Sequence, residues 1–467
     1  MKTKNLFSTF LVLAFLLTAC GQGTVAPAPV TQTPVATQPP TNIPLVPIFP
    51  PSPTIMPPYP TASVVKSNAV AFVAQDWQNH GQSSLWVANV DGSGERKIVD
   101  SITELENGSY MSFVAPAWSP NGKWVGYISD GDLWIISPDG STSRKILSIS
   151  GKGKEMIYTY KWSPDGLQIA YAKGDISDAP SLTVGIIDVA TGKTSEIVSY
   201  QSPPTPITLS WSPDGHYLLL SKYGSFFMVD VATRKTTGEL KSEICPVYHR
   251  GIEWSPNGKW FYDIQVGNGR FSTMQICVAG LNGSSNRIEI NGTATSYPVW
   301  DKTGDFLYFV VSNTNFSITP IPDYDLRLMR YNVKTQKLEN VLSLGKEPNA
   351  WAVSISPNKQ ILEMHTMYPE NQPTFIFMDM QSLSTTRFNV NLEIPITVAF
   401  KYETAWSPDN QNIIIFSGTT HTPDGVGVQP YGGFYALNSQ TGEVTIFSGS
   451  HNIELSEWVV SPVATTP

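Results

Sequence analysis

One five-residue stretch, Trp162-Ser163-Pro164-Asp165-Gly166, restricts the fold of this chain more than any other feature. It recurs as Trp118-Ser119-Pro120-Asn121-Gly122, Trp211-Ser212-Pro213-Asp214-Gly215 and Trp254-Ser255-Pro256-Asn257-Gly258. A looser copy is Trp406-Ser407-Pro408-Asp409-Asn410. Degraded copies are Trp300-Asp301-Lys302-Thr303-Gly304 and Ile355-Ser356-Pro357-Asn358-Lys359. The physics is that of a tight β-turn: Pro presets φ at about −65°, Asp or Asn caps its own backbone, and Gly supplies the positive φ of the exit. A strand-like run follows each copy (WVGYIS, IAYAK, YLLLS, WFYDI, FLYFV, ILEMH, IIIFS), so a strand ending in Trp folds back into a second strand. The markers at 119, 163, 212, 255, 301, 356 and 407 are spaced by 43 to 55 residues. A period in this range with β patterning is the signature of a propeller blade array.

A second repeated signal agrees. Later hairpins with short DG-, TG- or NG-like turns occur in every unit, from LWVANVDGSGERKIV to FYALNSQTGEVTIFS, and there are eight of them. One blade is then strand a, the Trp-Ser-Pro turn, strand b, a loop, strand c, a short turn and strand d. The first unit starts without a strand a: residues 69–74 read as strand b and 85–90 as strand c. Residues 457–462 read as the missing strand at the other end of the chain. Ring closure of this kind removes an exposed sheet edge. The expectation is an all-β β-propeller of four-stranded blades. Eight blades are expected, or seven if the degraded fifth or sixth unit is not a full blade, closed by the C-terminal strand completing the N-terminal blade.

The N-terminus carries a different message. Lys2 and Lys4 precede an apolar run from Leu6 to Leu17 that is short for a membrane span. Leu17-Thr18-Ala19-Cys20 resembles a bacterial lipobox, which implies cleavage before Cys20 and a lipid on its sulfur. Residues 21–63 hold thirteen prolines and no Asp, Glu, Lys or Arg. Such a stretch favours extended polyproline II and reads as a tether. The domain reading is therefore a lipoprotein signal peptide over 1–19, the lipidated Cys plus Pro/Thr-rich tether over 20–63, the propeller over 64–462 and a tail over 463–467. The implied location is a bacterial cell membrane or envelope, lipid-anchored on the extracytoplasmic side.

Composition narrows the partners. Aromatic residues make up 11% and charged residues only 15%, with a net charge of −8. No basic stripe exists, so nucleic acid is excluded as the expected partner. Beyond Cys20 the chain has Cys245 and Cys277, both in the fourth Trp-Ser-Pro unit; they form either a disulfide or two separate buried thiols. The six histidines show no metal-ligand spacing, and no metal or cofactor is expected. The Asp of the repeated turn reads as turn chemistry, and no catalytic residue is assigned.

The Trp-Ser-Pro-Asp-Gly turn followed by an apolar strand resembles the TolB-type propeller repeat. It is also similar to the propeller of the prolyl-oligopeptidase and dipeptidyl-peptidase families. The resemblance covers nearly all of residues 68–462 and implies the fold rather than a task, because such blades serve many. No Gly-x-Ser-x-Gly occurs in the chain, so the resemblance to the peptidases stops at their blades.

Strand topology sorts the loops. The a–b and c–d turns share one face and are short; the b–c and d–a loops share the other and hold the long insertions. Variable loops on a rigid scaffold are where binding usually resides. The expected ligand-binding residues around the channel mouth are Trp77, Tyr110, Tyr158, Tyr248, His249, Arg250, Tyr297, Trp351, Tyr402 and His451. Aromatic rings with polar tips suit a protein, peptide or glycan ligand; the alternative is that such rings only wedge blades apart. The expected function is a lipid-anchored binding module, attached to the membrane through Cys20. The other reading is a propeller enzyme, a lyase or glycoside-acting protein, with its site in the channel mouth.

Overall fold

A computed structural model describes residues 69–76, 82–89, 94–100, 114–129, 131–149, 155–175, 181–201, 207–222, 225–241, 249–266, 274–281, 284–313, 325–345, 351–366, 373–390, 403–421, 428–451 and 454–460. The chain divides into two units, Met1–Val46 and Pro47–Pro467, and the described residues belong to the second.

The repeated turn folds as its chemistry demands. In the third sheet the Gly166 N–H donates to Ser163 O at 2.8 Å, closing the turn, and the Ser163 N–H donates to Gln168 O at 2.9 Å, starting the ladder. The Ser163 hydroxyl lies 2.6 Å from Asp165 Oδ1 and accepts from the Gln168 N–H at 2.9 Å. Asp165 Oδ1 also accepts from the Leu167 N–H at 2.9 Å. The serines that make this bond set, Ser119, Ser163, Ser212, Ser255, Ser356 and Ser407, are all buried. Burial is tolerated because every polar atom is satisfied locally. Gly122, Gly166, Gly215 and Gly258 sit at φ of 69°, 69°, 71° and 67°, as expected of the exit position.

Described residues form seven antiparallel sheets. In the second, Val114–Trp118, Val125–Ser129, Asp132–Ile136 and Ser143–Leu147 serve as strands a to d. The third (Glu155–Trp162 to Thr194–Gln201), fourth (Thr208–Trp211 to Lys235–Lys241), sixth (Trp351–Ile355 to Thr385–Asn389) and seventh (Glu403–Trp406 to Val444–His451) repeat this order. In the first sheet Ala69–Asp76 pairs on one side with Gln82–Asn89 and on the other with Glu454–Val460, in the register Ala71↔Val459 and Phe72↔Trp458. That C-terminal strand also lies against Val114–Trp118 and Glu403–Trp406.

The fifth sheet departs from separate four-stranded units. It carries nine strands, because two repeats share it. Strand d of its first repeat, Ser285–Arg287, is only three residues long. The chain then lays Thr293–Ala294 between Met274 of one repeat and Ser312 of the next. Gly292 precedes this bridge at φ 128°, and a Cβ there would stand 2.1 Å from Ser312 O. Only glycine passes through that gap, so this seam is a backbone feature that hydrophobic patterning does not encode.

The core lies between sheets rather than within one layer. One cluster joins Leu133 and Ile135 of the second sheet to Trp162 and Ile169 of the third; another joins Phe375 and Phe377 of the sixth to Trp406 and Ile415 of the seventh. The turn tryptophans are the spokes of this packing, all of them under 9% exposed. Four of them reach back one repeat with the indole N–H: Trp162 to Ala117 O (3.1 Å), Trp211 to Lys161 O (3.0 Å), Trp254 to Ser210 O (3.2 Å) and Trp300 to Glu253 O (3.4 Å). The acceptor is always the residue just before the preceding marker Trp. Burial and a paired N–H together make these rings worth about 3–5 kcal/mol each on truncation.

Candidate binding surface

Antiparallel order puts every Trp-Ser-Pro turn at one end of strands a and b. Those of the expected binding residues that are described lie toward the opposite ends. His249 opens strand His249–Trp254 and pairs with Gln265, and Arg250 occupies the irregularity between His249 and Gly251. Trp351 opens strand Trp351–Ile355 opposite Thr366. His451 closes strand Val444–His451 opposite Gly432. Tyr297, just before Val299–Trp300, is 46% exposed. Tyr158 sits at a bulge between Ile157 and Thr159 and packs, half-buried, against the cluster containing Leu182 and Leu209. Gly174 makes room for its ring, since a Cβ there would stand 2.7 Å from Tyr158 Cε2. Trp77, Tyr110, Tyr248, Tyr402, Cys20 and Cys245 lie outside the described residues. Cys277 is disulfide-bonded, and its partner also lies outside them.

At the other end the polar atoms are spent on the turns themselves. Hydroxyls of Ser137 and Ser141 and the Ser141 N–H hold the Asp139 carboxyl down to about 2. Asp188, Asp230 and Asp379 are lowered in the same way, by Thr191, Thr233 and Ser382. Successive Trp-Ser-Pro turns are also tied side by side: Asn257 Nδ2 donates to Thr303 O at 2.7 Å, and the Asn358 N–H to Asn410 Oδ1 at 2.8 Å.

Strand a carries charges that sequence reasoning passed over. Lys161 and Glu253 each precede a marker Trp, and both are exposed by area. Burial nonetheless lowers the Lys161 pKa and raises that of Glu253. The Tyr262 hydroxyl lies 2.6 Å from Glu253 Oε2 and 2.9 Å from Pro298 O. Burial, then the Glu253 charge, drives the phenol well above its ordinary value.

A second unexpected group is sealed between the sixth and seventh sheets. Glu363 and His365 are 0% and 1% exposed, with Oε1 and Nδ1 2.7 Å apart. Ser354 Oγ donates to Glu363 Oε2 at 2.6 Å and accepts from the Trp406 indole at 3.0 Å. A side-chain relay thus replaces the backbone acceptor used by the other spokes. The available signal was the polar pair Glu363-x-His365 on one face of a strand with apolar neighbours. No group of three or more His, Cys, Asp or Glu is arranged to hold a metal ion among the described residues.

Comparison with known proteins follows the fold. The family model for eukaryotic translation initiation factor eIF2A matches residues 105–266, less than half of the chain. Uncharacterized protein Atu1656 of Agrobacterium fabrum (strain C58 / ATCC 33970) is 27% identical over 241 residues, covering 50% of this chain and 76% of that protein. The crystal structure of a eukaryotic initiation factor superposes with a TM-score of 0.53 at 12% identity, over 86% of this chain and 99% of that one. A prolyl endopeptidase matches with a TM-score of 0.50 at 13% identity, over 74% of this chain and 50% of that one. A putative TolB from Agrobacterium tumefaciens matches at 20% identity with a TM-score of 0.34, over 61% and 91%. The likeness rests on the structures with TM-scores of 0.53 and 0.50, and at these identities it is one of fold.

Proposed function

We propose that this protein is a lipid-anchored, extracytoplasmic β-propeller that captures a protein, peptide or glycan on its loop face. In this reading eight repeats form one ring, with the first sheet completed by Glu454–Val460. Cys20 carries the lipid, residues 21–63 form the tether, and Cys245 is the partner of Cys277. The loop face combines Trp77, Tyr110, Tyr248, His249, Arg250, Tyr297, Trp351, Tyr402 and His451; Tyr158 stands at its rim and also wedges the third sheet against the fourth.

The observation that carries this reading is the difference between the two ends of the strands. At the turn end, Ser, Asp and Asn side chains are committed to local hydrogen bonds. At the other end are the strand positions of His249, Trp351 and His451, and the ring of Tyr297 is exposed. Anchors of these types dominate interface energies, at about 2 kcal/mol or more each on truncation. The test is capture of envelope components by immobilised full chain. Tyr248→Ala, Arg250→Ala and Trp351→Ala should reduce capture without lowering the melting temperature, while Lys193→Ala and Lys235→Ala on the turn face should not. Loss of capture only from the turn-face changes would refute the assignment. Melting of the loop-face variants would show that those rings are wedges.

A further inference from the structure

An asparagine followed by glycine is a point where a protein chain can modify itself, because glycine, with no side chain, lets its nitrogen approach the asparagine Cγ. Three such pairs lie among the described residues: Asn121-Gly122, Asn257-Gly258 and Asn291-Gly292. The first two are locked into Trp-Ser-Pro turns. Their glycine N–H groups donate to Ser119 O and Ser255 O, both at 2.8 Å. Asn121 Oδ1 accepts from Ser119 Oγ at 2.8 Å and from the Lys123 N–H at 3.1 Å. Asn257 Oδ1 accepts from Ser255 Oγ at 2.8 Å and from the Lys259 N–H at 3.0 Å, and its Nδ2 donates to Thr303 O at 2.7 Å. Those bonds must open before either glycine nitrogen can reach its neighbour's Cγ.

Asn291-Gly292 has no such lock. Both residues are exposed. Among the described residues, neither the Asn291 side chain nor the Gly292 N–H makes a hydrogen bond. The pair stands immediately before Thr293–Ala294, the bridge between the two repeats of the fifth sheet. Thr293 and Ala294 are 5% and 4% exposed. They pair with Ser312 and Val311 on one side, and Ala294 pairs with Met274 on the other.

We propose that Asn291 is a site of spontaneous deamidation, and that its isoaspartate product loosens the seam of the fifth sheet. Base removes the Gly292 N–H proton, and the nitrogen attacks Asn291 Cγ. The Cγ–Nδ2 bond breaks, and Nδ2 leaves as ammonia with a proton from solvent. Water then opens the cyclic imide at either carbonyl, giving aspartate or isoaspartate. No oxidant, reductant or cofactor enters the balance. Isoaspartate routes the main chain through the Asn291 Cβ, which makes it one methylene longer and adds a negative charge. The passage has no room for the extra atom, since a Cβ on Gly292 would already stand 2.1 Å from Ser312 O. The aspartate product adds the charge alone, at an exposed position. The inference does not depend on the reading of the loop face.

The test ages the folded full chain in mildly alkaline buffer and maps its peptides by mass spectrometry, with an isoaspartate-specific carboxyl methyltransferase reporting the isomer. Residue 291 should convert at least about 10-fold faster than 121 or 257, whose conversion waits on local opening. In denaturant the three rates should converge, because the difference lies in the fold. Aged chain should melt below fresh chain. Asn291→Ser cannot form the imide and should lose most of that ageing shift, while fresh Asn291→Asp should melt like the fresh parent. The proposal fails if residue 291 converts no faster than 121 and 257, if its advantage persists in denaturant, or if Asn291→Ser ages with the parent's loss of melting temperature. A low-melting fresh Asn291→Asp would overturn the lengthened main chain as the cause.

Discussion

Gly166 and Gly215 occupy the same turn position at nearly the same φ, 69° and 71°, yet they should not tolerate alanine equally. A Cβ at Gly215 meets nothing closer than Pro164 Cδ at 3.8 Å; at Gly166 it stands 2.6 Å from Asn121 Nδ2 and 2.9 Å from Asn121 Cγ. That asparagine cannot swing aside freely. Its Oδ1 accepts from Ser119 Oγ at 2.8 Å and from the Lys123 N–H at 3.1 Å, and Nδ2 reaches Asp165 O at 3.3 Å. Both alanines carry the left-handed penalty of about 1–2 kcal/mol. Both recover about 0.4–1 kcal/mol from the stiffer unfolded chain. Gly215→Ala should therefore cost about 1 kcal/mol. Gly166→Ala should cost about 1–2 kcal/mol more, the worth of one or two displaced hydrogen bonds. The assay is urea unfolding followed by tryptophan fluorescence, with Asn121→Ala and the double variant completing a cycle. The double variant should lose the extra cost, giving a coupling of about 1 kcal/mol. Equal costs for the two alanines, or no coupling with Asn121, would refute this account of the turns.

Other expectations are equally direct. Ser354→Ala removes a donor from Glu363 and the acceptor of the Trp406 indole, so it should cost about 1–3 kcal/mol in unfolding free energy. Ser210→Ala should cost less, because the Trp254 indole bonds to the Ser210 backbone. The Asp139 carboxyl should titrate near pH 2 by NMR, below its ordinary value of 3.8. Its folded-state pKa is depressed, so its contribution to stability is present above about pH 4 and fades as pH falls toward 2. Asp139→Asn should leave a shallower acid limb in a stability–pH profile. Cys20→Ser should move the protein from the membrane to the soluble fraction of fractionated cells; retention in the membrane would overturn the lipid reading.

Much of the fold was legible because the turn chemistry is local. The hydroxyl of Ser163, the carboxylate of Asp165 and the φ of Gly166 cooperate within a few residues, so the pentapeptide states its own conformation. The tryptophans could be read as buried, but not where their N–H groups go, since the acceptor lies one repeat away. The shared fifth sheet was not legible. It depends on a two-residue bridge and on Gly292, and a lone glycine in a variable segment has many other uses. The role of the Glu363–His365 pair was hidden because the Ser354 hydroxyl that bonds Glu363 also accepts from Trp406, one repeat further along the chain. The loop-face residues were chosen by topology, and several of them lie outside the described residues.

The proposed ring closes where Ala69–Asp76 and Glu454–Val460 share a sheet. The most direct measurement is thermal unfolding of the full chain beside a chain ending at residue 452, which lacks the strand Glu454–Val460 paired with Ala69–Asp76. A closed ring predicts a loss of several kcal/mol and a broadened, less cooperative transition, because removing one strand uncovers the edge of Ala69–Asp76 and unseats the neighbours on both sides. An unchanged melting temperature and an equally sharp transition would show that the C-terminal strand is an appendage and that the ring does not close through it.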